Sequence, residues 1–468
     1  MMRDRLFLSF YGDDFTGSTD VMESLTLNGI PAVLFLNPPE AEELEGFRMK
    51  RSWSPDGDTR VKAFGVAGVS RSMHVSKMKK ELPEIFEKIS TIPSRYFHYK
   101  VCSTFDSSPH IGNIGVAVDI AERYFPSVHI PLLIAAPPLN RYSIFGNLFA
   151  RIDGITYRLD RHPTMSKHPV TPMKESDLRV HLGEQTDRPV ALFDLFALDS
   201  DYEEQKKIFH RIERGEGGFI LFDTYTAAHL KSVGRLLFEM AGPAPQLLVG
   251  SSGIEYALTS YMQEQGKITK PTDYEYPGRA DKMIIMAGSC APTTKLQLEW
   301  SLENGFEGIR IDTERLVDPK SRESVITETV KKAVRLLENG VNPAIYTALG
   351  PDDPAIQKTN RVIERLGLTD SSNSEHIAGT QGIMLKRILE AIKERIRVVV
   401  AGGDTSGHVS RALEITALET HVPIAPGAPL CLAHSTDSRF DGMEISLKGG
   451  QNGKKRYFES IFEGKALE

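Results

Sequence analysis

The chain has 468 residues, 40% of them hydrophobic and 25% charged, which predicts a folded protein with more than one hydrophobic core. Its 56 basic and 62 acidic residues are scattered along the sequence and give a formal net charge of -6, which argues against the clustered basic surface that binds nucleic acid. No apolar run is long enough for a signal peptide or a membrane-spanning helix, and the three cysteines have no metal or redox spacing, so we expect a cytoplasmic protein without a membrane partner.

The first half of the chain predicts strands that alternate with helices. The apolar run Arg5–Phe10 predicts a strand, a polar turn follows at Gly12–Gly17, and Pro31–Leu36 predicts a second strand after a short helix. Further predicted strands lie at Val61–Val69, Val128–Ala136, Val190–Phe193, Phe219–Phe222 and Leu247–Val249.

A polar segment at Lys267–Lys282 interrupts this alternation. It contains two prolines and no hydrophobic periodicity, so it predicts a linker between a domain at residues 1–266 and another at 283–468. Beyond it, strands are predicted at Met283–Met286, Ala344–Ala348 and Val398–Ala401, and helices from Thr293, around Ile383–Ile392 and from Ser406. The pattern predicts an α/β fold of two domains with mostly parallel sheets and a cleft between them, and ligand sites at the carboxyl ends of the strands.

The first candidate site follows the first strand, where Asp13 and Asp14 stand between two glycines and precede a helix. An acid at this position can accept a proton from a substrate hydroxyl or bind a cation. The alternative is a structural role, in which Asp14 or Thr16 caps the helix.

A second candidate site is the segment KVCSTFDSSPHIGNIG, which begins at Lys100. A lysine, an acid at Asp106 and hydroxyls such as Ser107 suit an anionic, polyhydroxylated ligand, although a solvated loop that caps the next helix would have the same composition. Arg71 also follows a strand, and its guanidinium could bind a carboxylate through two hydrogen bonds.

The third candidate site is a set of three glycine turns, at Gly288-Ser289, Gly402-Gly403-Asp404-Thr405 and Gly449-Gly450. Glycines let a backbone approach phosphate oxygens, and a helix N-terminus presents free N–H groups to them. Asp404 would repel a bare phosphate, so we expect it near a phosphate-bridging Mg²⁺, or else as an ordinary helix cap. The sequence contains no Walker A motif. It also lacks the GxGxxG dinucleotide motif, which disfavours a dehydrogenase, and the GxSxG motif of α/β-hydrolases.

Several short segments, taken together in their order along the chain, resemble the four-carbon acid sugar kinase family. The resemblance rests on the segments DDFTG, SRS, DRHPTMSKHPVTP, GSSG, GS, GGDT and IAPGAPL, which span roughly 400 residues. It implies a sugar-acid-binding N-terminal domain and an ATP-binding C-terminal domain. The segment after Asp106 and the turn after Lys448 depart from the family pattern, and the first departure is closer to a branch that acts on branched sugar acids such as 3-oxo-isoapionate.

The resemblance also implies roles for the candidate residues. Asp13, Arg71, Lys100 and Ser107 would bind the sugar acid, and Asp14 or Asp106 would take the proton of a primary hydroxyl. ATP would be bound by residues of the glycine turns, namely Ser289, Gly402, Gly403, Asp404, Thr405, Gly449 and Gly450, with Mg²⁺ at Asp404. The alternative from another class is a non-catalytic sugar-acid sensor, and self-association into a homo-oligomer is left open.

Overall fold

Parallel strands that end in short polar loops form the framework of both halves of the chain. The structure is a computed structural model that describes residues 5–53, 57–152, 154–168, 170–215, 217–368 and 370–467. The chain divides into two compact units, Met1–Thr272 and Asp273–Glu468. The described residues include no helix with the length and apolar content needed to cross a bilayer.

The first unit contains a parallel sheet with the strand order β2-β3-β1-β4-β11-β5-β10-β9 and a separate antiparallel sheet, β6-β7-β8. Its strands are β1 (Leu6–Gly12), β2 (Ala32–Phe35), β3 (Ala63–Ala67), β4 (Ser94–Lys100), β5 (His129–Leu133), β6 (Arg141–Ile144), β7 (Asn147–Ile152), β8 (Ile155–Arg158), β9 (Val190–Phe193), β10 (Gly218–Phe222) and β11 (Gln246–Gly250). Its helices are α1 (Phe15–Leu27), α2 (Ala41–Gly46), α3 (Val75–Ser90), α4 (Ile114–Ala121), α5 (Leu178–Gly183), α6 (Leu195–Asp199), α7 (Tyr202–Glu213), α8 (Ala227–Glu239) and α9 (Gly253–Glu264).

The second unit contains a sheet with the strand order β13-β14-β12-β15-β18-β17-β16. Its strands are β12 (Met283–Ala287), β13 (Phe306–Arg310), β14 (Asn342–Tyr346), β15 (Arg397–Ala401), β16 (Ile415–Ala425), β17 (Ala428–Ser435) and β18 (Glu444–Lys448). Its helices are α10 (Pro292–Glu303), α11 (Thr313–Val317), α12 (Arg322–Glu338), α13 (Pro354–Arg365), α14 (Asp370–Ala391), α15 (Gly403–Ala412) and α16 (Tyr457–Glu463). Strands β13, β14, β12, β15 and β18 pair in parallel in that order. Strands β17 and β16 add an antiparallel hairpin beside β18.

The predicted α/β class with mostly parallel sheets is confirmed. The central strands of both sheets are buried on both faces, as expected of parallel sheets, and this is why they appear in the sequence as continuous apolar runs. The strand Val190–Phe193 has the predicted bounds. The cleft predicted between the domains stays a prediction.

Two helices begin earlier than predicted, and capping explains the first of them. The side chain of Asp14 accepts a hydrogen bond from the Gly17 backbone N–H, so α1 starts inside the predicted turn. In the second unit, Gly402 caps α15 with a backbone conformation, φ 131°, that side chains disfavour, and Asp404 therefore lies in the first turn of the helix.

The segment predicted as a linker contains no helix or strand, and the division between the two units falls within it. Its C-terminal part is attached to the second unit, because Ala280 N–H donates to the Phe462 carbonyl and Arg397 donates to the Gly278 carbonyl. The linker bounds 267–282 stay a prediction.

Candidate functional site

The carboxyl ends of three neighbouring strands bring the predicted residues of the first unit together. Strand β1 lies between β3 and β4, and Asp13 follows it directly. The Asp13 N–H donates to the Lys100 carbonyl at the end of β4, while the Asp13 carbonyl accepts from the N–H of Arg71 in the turn after β3, both at 2.9 Å. Residues that are far apart in the sequence thus form one cluster.

Arg71 forms ion pairs with both adjacent aspartates. Its Nε and Nη2 donate to the two carboxylate oxygens of Asp13 at 3.1 and 2.7 Å, and Nη2 also donates to Asp14 Oδ1 at 2.7 Å. Burial raises the pKa of Asp13, whereas the hydrogen bonds from Arg71 oppose that change. The two carboxylates balance the guanidinium charge, which argues against the prediction that Arg71 itself holds a substrate carboxylate.

Lys100 is a buried cation with a different environment. Its residue is only 2% exposed, and among the described residues its ammonium has no hydrogen bond or ion pair. The ammonium lies over Gly17, where an added Cβ would come within 2.7 Å of Nζ and 2.5 Å of Asp14 Oδ1. The carboxylates of Asp13 and Asp20 act on the ammonium through their charges without a hydrogen bond, so its N–H groups are available to an anionic or strongly polar ligand.

The loop after Lys100 carries Asp106 at the edge of the same cluster. Asp106 is 9% exposed, and its Oδ1 has no hydrogen-bond partner in the described part of the chain. The hydroxyl of Ser107, by contrast, donates to the Phe105 carbonyl, accepts from Gln185, and lies 3.0 Å from His181 Nε2. These bonds hold the loop in place and argue against the predicted contact of Ser107 with the substrate.

Cys102 lies near the centre of the cluster. Its thiol is close enough to Asp106, Arg71, Asp14 and Lys100 for their charges to act on it, and burial raises its pKa to about 11. The thiol is therefore neutral at physiological pH and contributes a small, weakly polar surface to the site.

The structure also contains a buried polar group beneath Lys100 that the sequence reasoning did not identify. His98 Nδ1 lies 2.7 Å from Glu255 Oε1, and His98 Nε2 lies 3.1 Å from the Gly250 carbonyl. Asp20 is nearby, and burial raises its pKa. A histidine inside the apolar run YFHY and a glutamate inside a buried helix were the available signals in the sequence.

Three adjacent strand ends also build the predicted site of the second unit. Strands β12, β15 and β18 are neighbours, and Gly402 N–H donates to the Lys448 carbonyl at 2.9 Å. A Cβ added to Gly402 would lie 3.2 Å from Ser289 N, and a Cβ added to Gly450 would lie 2.3 Å from Ser289 Oγ. The glycines at 402 and 450 are thus required for close packing of the three turns.

The remaining predicted residues lie on the same turns. Gly403 has open space where a Cβ would project, and Thr405 Oγ1 lies 3.3 Å from Gln381 Oε1, to which it donates. The Gly449 carbonyl accepts from the Asn452 N–H within the third turn.

A cavity of about 410 Å³ lies beside these turns, entirely within the second unit. Asp404 and Thr405 line it on the polar side, and Ile356, Ile363 and Ile377 form an apolar wall. Both its size and its mixture of apolar and polar groups are typical of small-molecule sites.

The region around Asp404 fits a hydrated cation that is also bound by a ligand. The carboxylate is exposed at the N-terminus of α15, and no cluster of three or more His, Cys, Asp or Glu side chains that could hold a metal is found among the described residues. Mg²⁺ bound with nucleotides commonly keeps its waters and uses one or two carboxylates plus phosphate oxygens, so a single carboxylate is compatible with it.

Lys448 lies directly beneath the glycine turns and is fully buried. Its Nζ donates to Thr294 Oγ1 at 3.2 Å, and that hydroxyl in turn donates to the Gly450 carbonyl at 2.8 Å. Burial lowers the pKa of Lys448 to about 7.

The histidines of the segment DRHPTMSKHP have structural contacts. His162 Nδ1 lies within 3.3 Å of the N–H groups of Thr164 and Met165, and His168 Nδ1 lies 3.1 Å from the Thr171 N–H. Pro169 lies outside the described residues.

Comparisons with known proteins match both units. Residues 8–258 match a family described as a sugar-binding N-terminal domain, and residues 284–458 match a nucleotide-binding C-terminal domain. A 3-oxo-isoapionate kinase of Paraburkholderia graminis is 38% identical over 98% of this chain and 95% of its own length. A 3-oxo-tetronate kinase of Pseudomonas fluorescens is 27% identical over 97% of this chain and 96% of its own.

A solved structure agrees with the fold. A Salmonella typhimurium protein, described under a provisional tRNA synthase name, superimposes with a TM-score of 0.74 at 22% identity, covering 97% of this chain and 98% of that one. At this identity the likeness shows the fold alone.

Proposed function

Since this chain belongs to the four-carbon acid sugar kinase family, we propose that it transfers the γ-phosphoryl group of ATP to a primary hydroxyl of a small sugar acid, giving a 4-phosphate. The observation that carries the proposal is a pair of polar groups in the first unit that form no hydrogen bond among the described residues, Lys100 Nζ and Asp106 Oδ1, in a chain whose second unit has a cavity beside its glycine turns. The polar groups of the first unit suit an anionic, hydroxylated ligand, and the cavity of the second unit suits a nucleotide.

The branched acid 3-oxo-isoapionate is our first choice of substrate. Its support is the 38% identity with the kinase of that name, together with the departure from the common family pattern after Asp106. Threonate, erythronate and 3-oxo-tetronate are the other candidates, and 3-oxo-tetronate kinases are 24–27% identical to this chain.

Within this proposal, Asp106 accepts the proton of the attacking hydroxyl. A general base needs a lone pair that is free for the substrate, and Asp106 Oδ1 has one. The hydrogen bonds that Asp14 Oδ1 accepts from Gly17 N–H and Arg71 fix this carboxylate in place and leave Oδ2 for the substrate, so we assign Asp14 to the orientation of the hydroxyl. Arg71 holds the side chains of Asp13 and Asp14 in place, and the positive charge of Lys100 attracts the anionic sugar acid.

ATP binds at the three glycine turns in this proposal. The N–H groups at the start of α15 face the phosphates, and the apolar wall of the cavity takes the base. Asp404 would hold Mg²⁺, which neutralises charge on the phosphates when bound. Catalysis by these residues consists mainly of positioning and charge stabilisation.

The test is ADP release from ATP and Mg²⁺ with a panel of sugar acids. We expect turnover with at least one of them and, for the preferred one, a product with one additional phosphate by mass spectrometry. Binding of a sugar acid without ADP release would instead favour the non-catalytic sensor, which the kinase names of the relatives do not favour. A cytoplasmic location and self-association stay predictions.

A further inference from the structure

Arg141 carries a half-buried cation on the antiparallel sheet of the first unit. It is the first residue of β6, and its Nη1 donates to the carbonyls of Leu139 and Asn140 at 3.0 and 3.2 Å. Its Nε is buried and has no acceptor among the described residues. A buried donor without an acceptor is costly, so this side of the guanidinium has an unused capacity for hydrogen bonds.

The positive charge of Arg141 is also not balanced by an ion pair. Two backbone hydrogen bonds of 3.1 and 3.2 Å join Arg141 to Ala136, which follows the carboxyl end of β5. Strand β11 lies between β5 and β4, so Arg141 is at the same edge of the sheet as Lys100, and the charge of Asp106 acts on its guanidinium. In the described part of the chain, no carboxylate lies within ion-pair distance of Arg141. Arg71 differs in this respect, because Asp13 and Asp14 already bind it.

A buried carboxylate fixes the strand that presents Arg141. Asp223 accepts hydrogen bonds from Ser143 Oγ, Phe145 N–H and Gly146 N–H at 2.8, 2.6 and 2.9 Å. Ser143 and Thr224 also exchange two backbone hydrogen bonds of 2.9 and 3.0 Å. These five bonds join the β6–β7 hairpin to the end of β10, so Arg141 is held in position before a ligand binds.

We propose that Arg141 recognises the carboxylate of the substrate and makes the enzyme selective for sugar acids over uncharged sugars. The inference rests on the kinase function proposed above and deepens it. The planar guanidinium suits a carboxylate because two N–H groups can bind its two oxygens together. Asp106 and Arg141 then contact different parts of one substrate, a hydroxyl and a carboxylate respectively.

The test compares kcat/KM of wild type and of Arg141→Met with the preferred sugar acid and with its uncharged carboxamide. We expect Arg141→Met to lower kcat/KM about 10- to 100-fold for the acid, mainly through KM, and to change it less than about twofold for the carboxamide. Arg141→Lys, which keeps the charge but loses the planar fork, should give an intermediate loss for the acid. Arg151→Met, on the exposed part of β7, is the matched control and should behave as wild type.

The outcomes separate the inference from the function on which it rests. If wild type releases no ADP with any sugar acid, the proposed function fails. If wild type is active and Arg141→Met loses equally with acid and carboxamide, or loses with neither, Arg141 does not recognise the carboxylate. If Arg141→Met does not fold, as judged by circular dichroism, the loss in Arg141→Lys decides by the same comparison between acid and carboxamide.

Discussion

The buried Lys448 makes the stability of the second unit depend on pH in a direction that can be calculated. Burial lowers its pKa from 10.5 to about 7, whereas the unfolded chain keeps the higher value. Between these two values the unfolded state binds more protons than the folded state, so the free energy of unfolding rises with pH. At pH values below the folded pKa, burial of the Lys448 ammonium lowers the free energy of unfolding by its full amount. At pH values above the unfolded pKa, Lys448 is neutral in both states and this destabilisation is absent.

The size of the effect follows from the difference between the two pKa values. At about 1.4 kcal/mol for each pKa unit, the difference of about 3.5 corresponds to about 5 kcal/mol of destabilisation at low pH. Between pH 7 and pH 9, the free energy of unfolding should rise by about 2 kcal/mol as this destabilisation is lost. Lys448→Met removes this titration, so the wild type should gain about 2 kcal/mol relative to the variant across that window.

Urea unfolding at pH 7, 8 and 9 measures this difference. Trp300 in α10 donates its indole N–H to Glu459 of α16, so its fluorescence reports on the second unit. A Trp53→Phe background in every protein removes the only other tryptophan. Lys454→Met, in the exposed turn that follows the glycines, is the matched control and should keep the pH dependence of wild type.

One result would refute this reasoning. If Lys448→Met and wild type show the same pH dependence, Lys448 stays charged in the folded protein. Its ammonium would then have enough stabilisation from the hydrogen bond to Thr294 and from the rings of Tyr457 and Phe458, each 5.8 Å from Nζ.

Three further predictions concern the reaction and the domain organisation. Asp106→Asn should lower kcat by about 10²- to 10⁴-fold with little change in ATP affinity, because it removes the proton acceptor, and a larger loss in Asp14→Asn would transfer that role to Asp14. Asp404→Asn should weaken binding of Mg·ATP and leave sugar-acid affinity nearly unchanged by calorimetry, and equal weakening of both ligands would contradict its assignment to the nucleotide. Limited proteolysis should first cut within 267–282, because that segment has no helix or strand, and an initial cut inside either predicted domain would contradict the boundary.

The sequence identified the strand ends better than the helix starts. Apolar runs such as Val190–Phe193 are long enough and apolar enough to define a buried parallel strand, and polar turns follow them at the sheet edge. The start of α15 at Gly403 depended on the backbone conformation of Gly402, which the sequence could not show. Most of α14 was missed because its N-terminal half, with residues such as Asp370, is too polar to show a helical period.

The polar groups inside the first unit were harder to predict. His98 and Glu255 are 157 residues apart, and only the pairing of β4 with β11 brings them within 2.7 Å. The antiparallel sheet that carries Arg141 was missed because its strands are short and partly exposed, so they lack a clear apolar pattern.

The two arginines of the first unit show which property of a binding site the sequence leaves undetermined. In the sequence Arg71 was the better candidate for an anion site, since it follows a predicted strand, and Arg141 had no such signal. The fold reverses this order, because Arg71 already has two carboxylate partners while Arg141 has carbonyl partners only. A cation recognises an anionic substrate when its charge is not already balanced, and that balance is decided by residues distant in the sequence. The residue type alone therefore identifies where an anion could bind, and the tertiary contacts decide which cation is free to bind it.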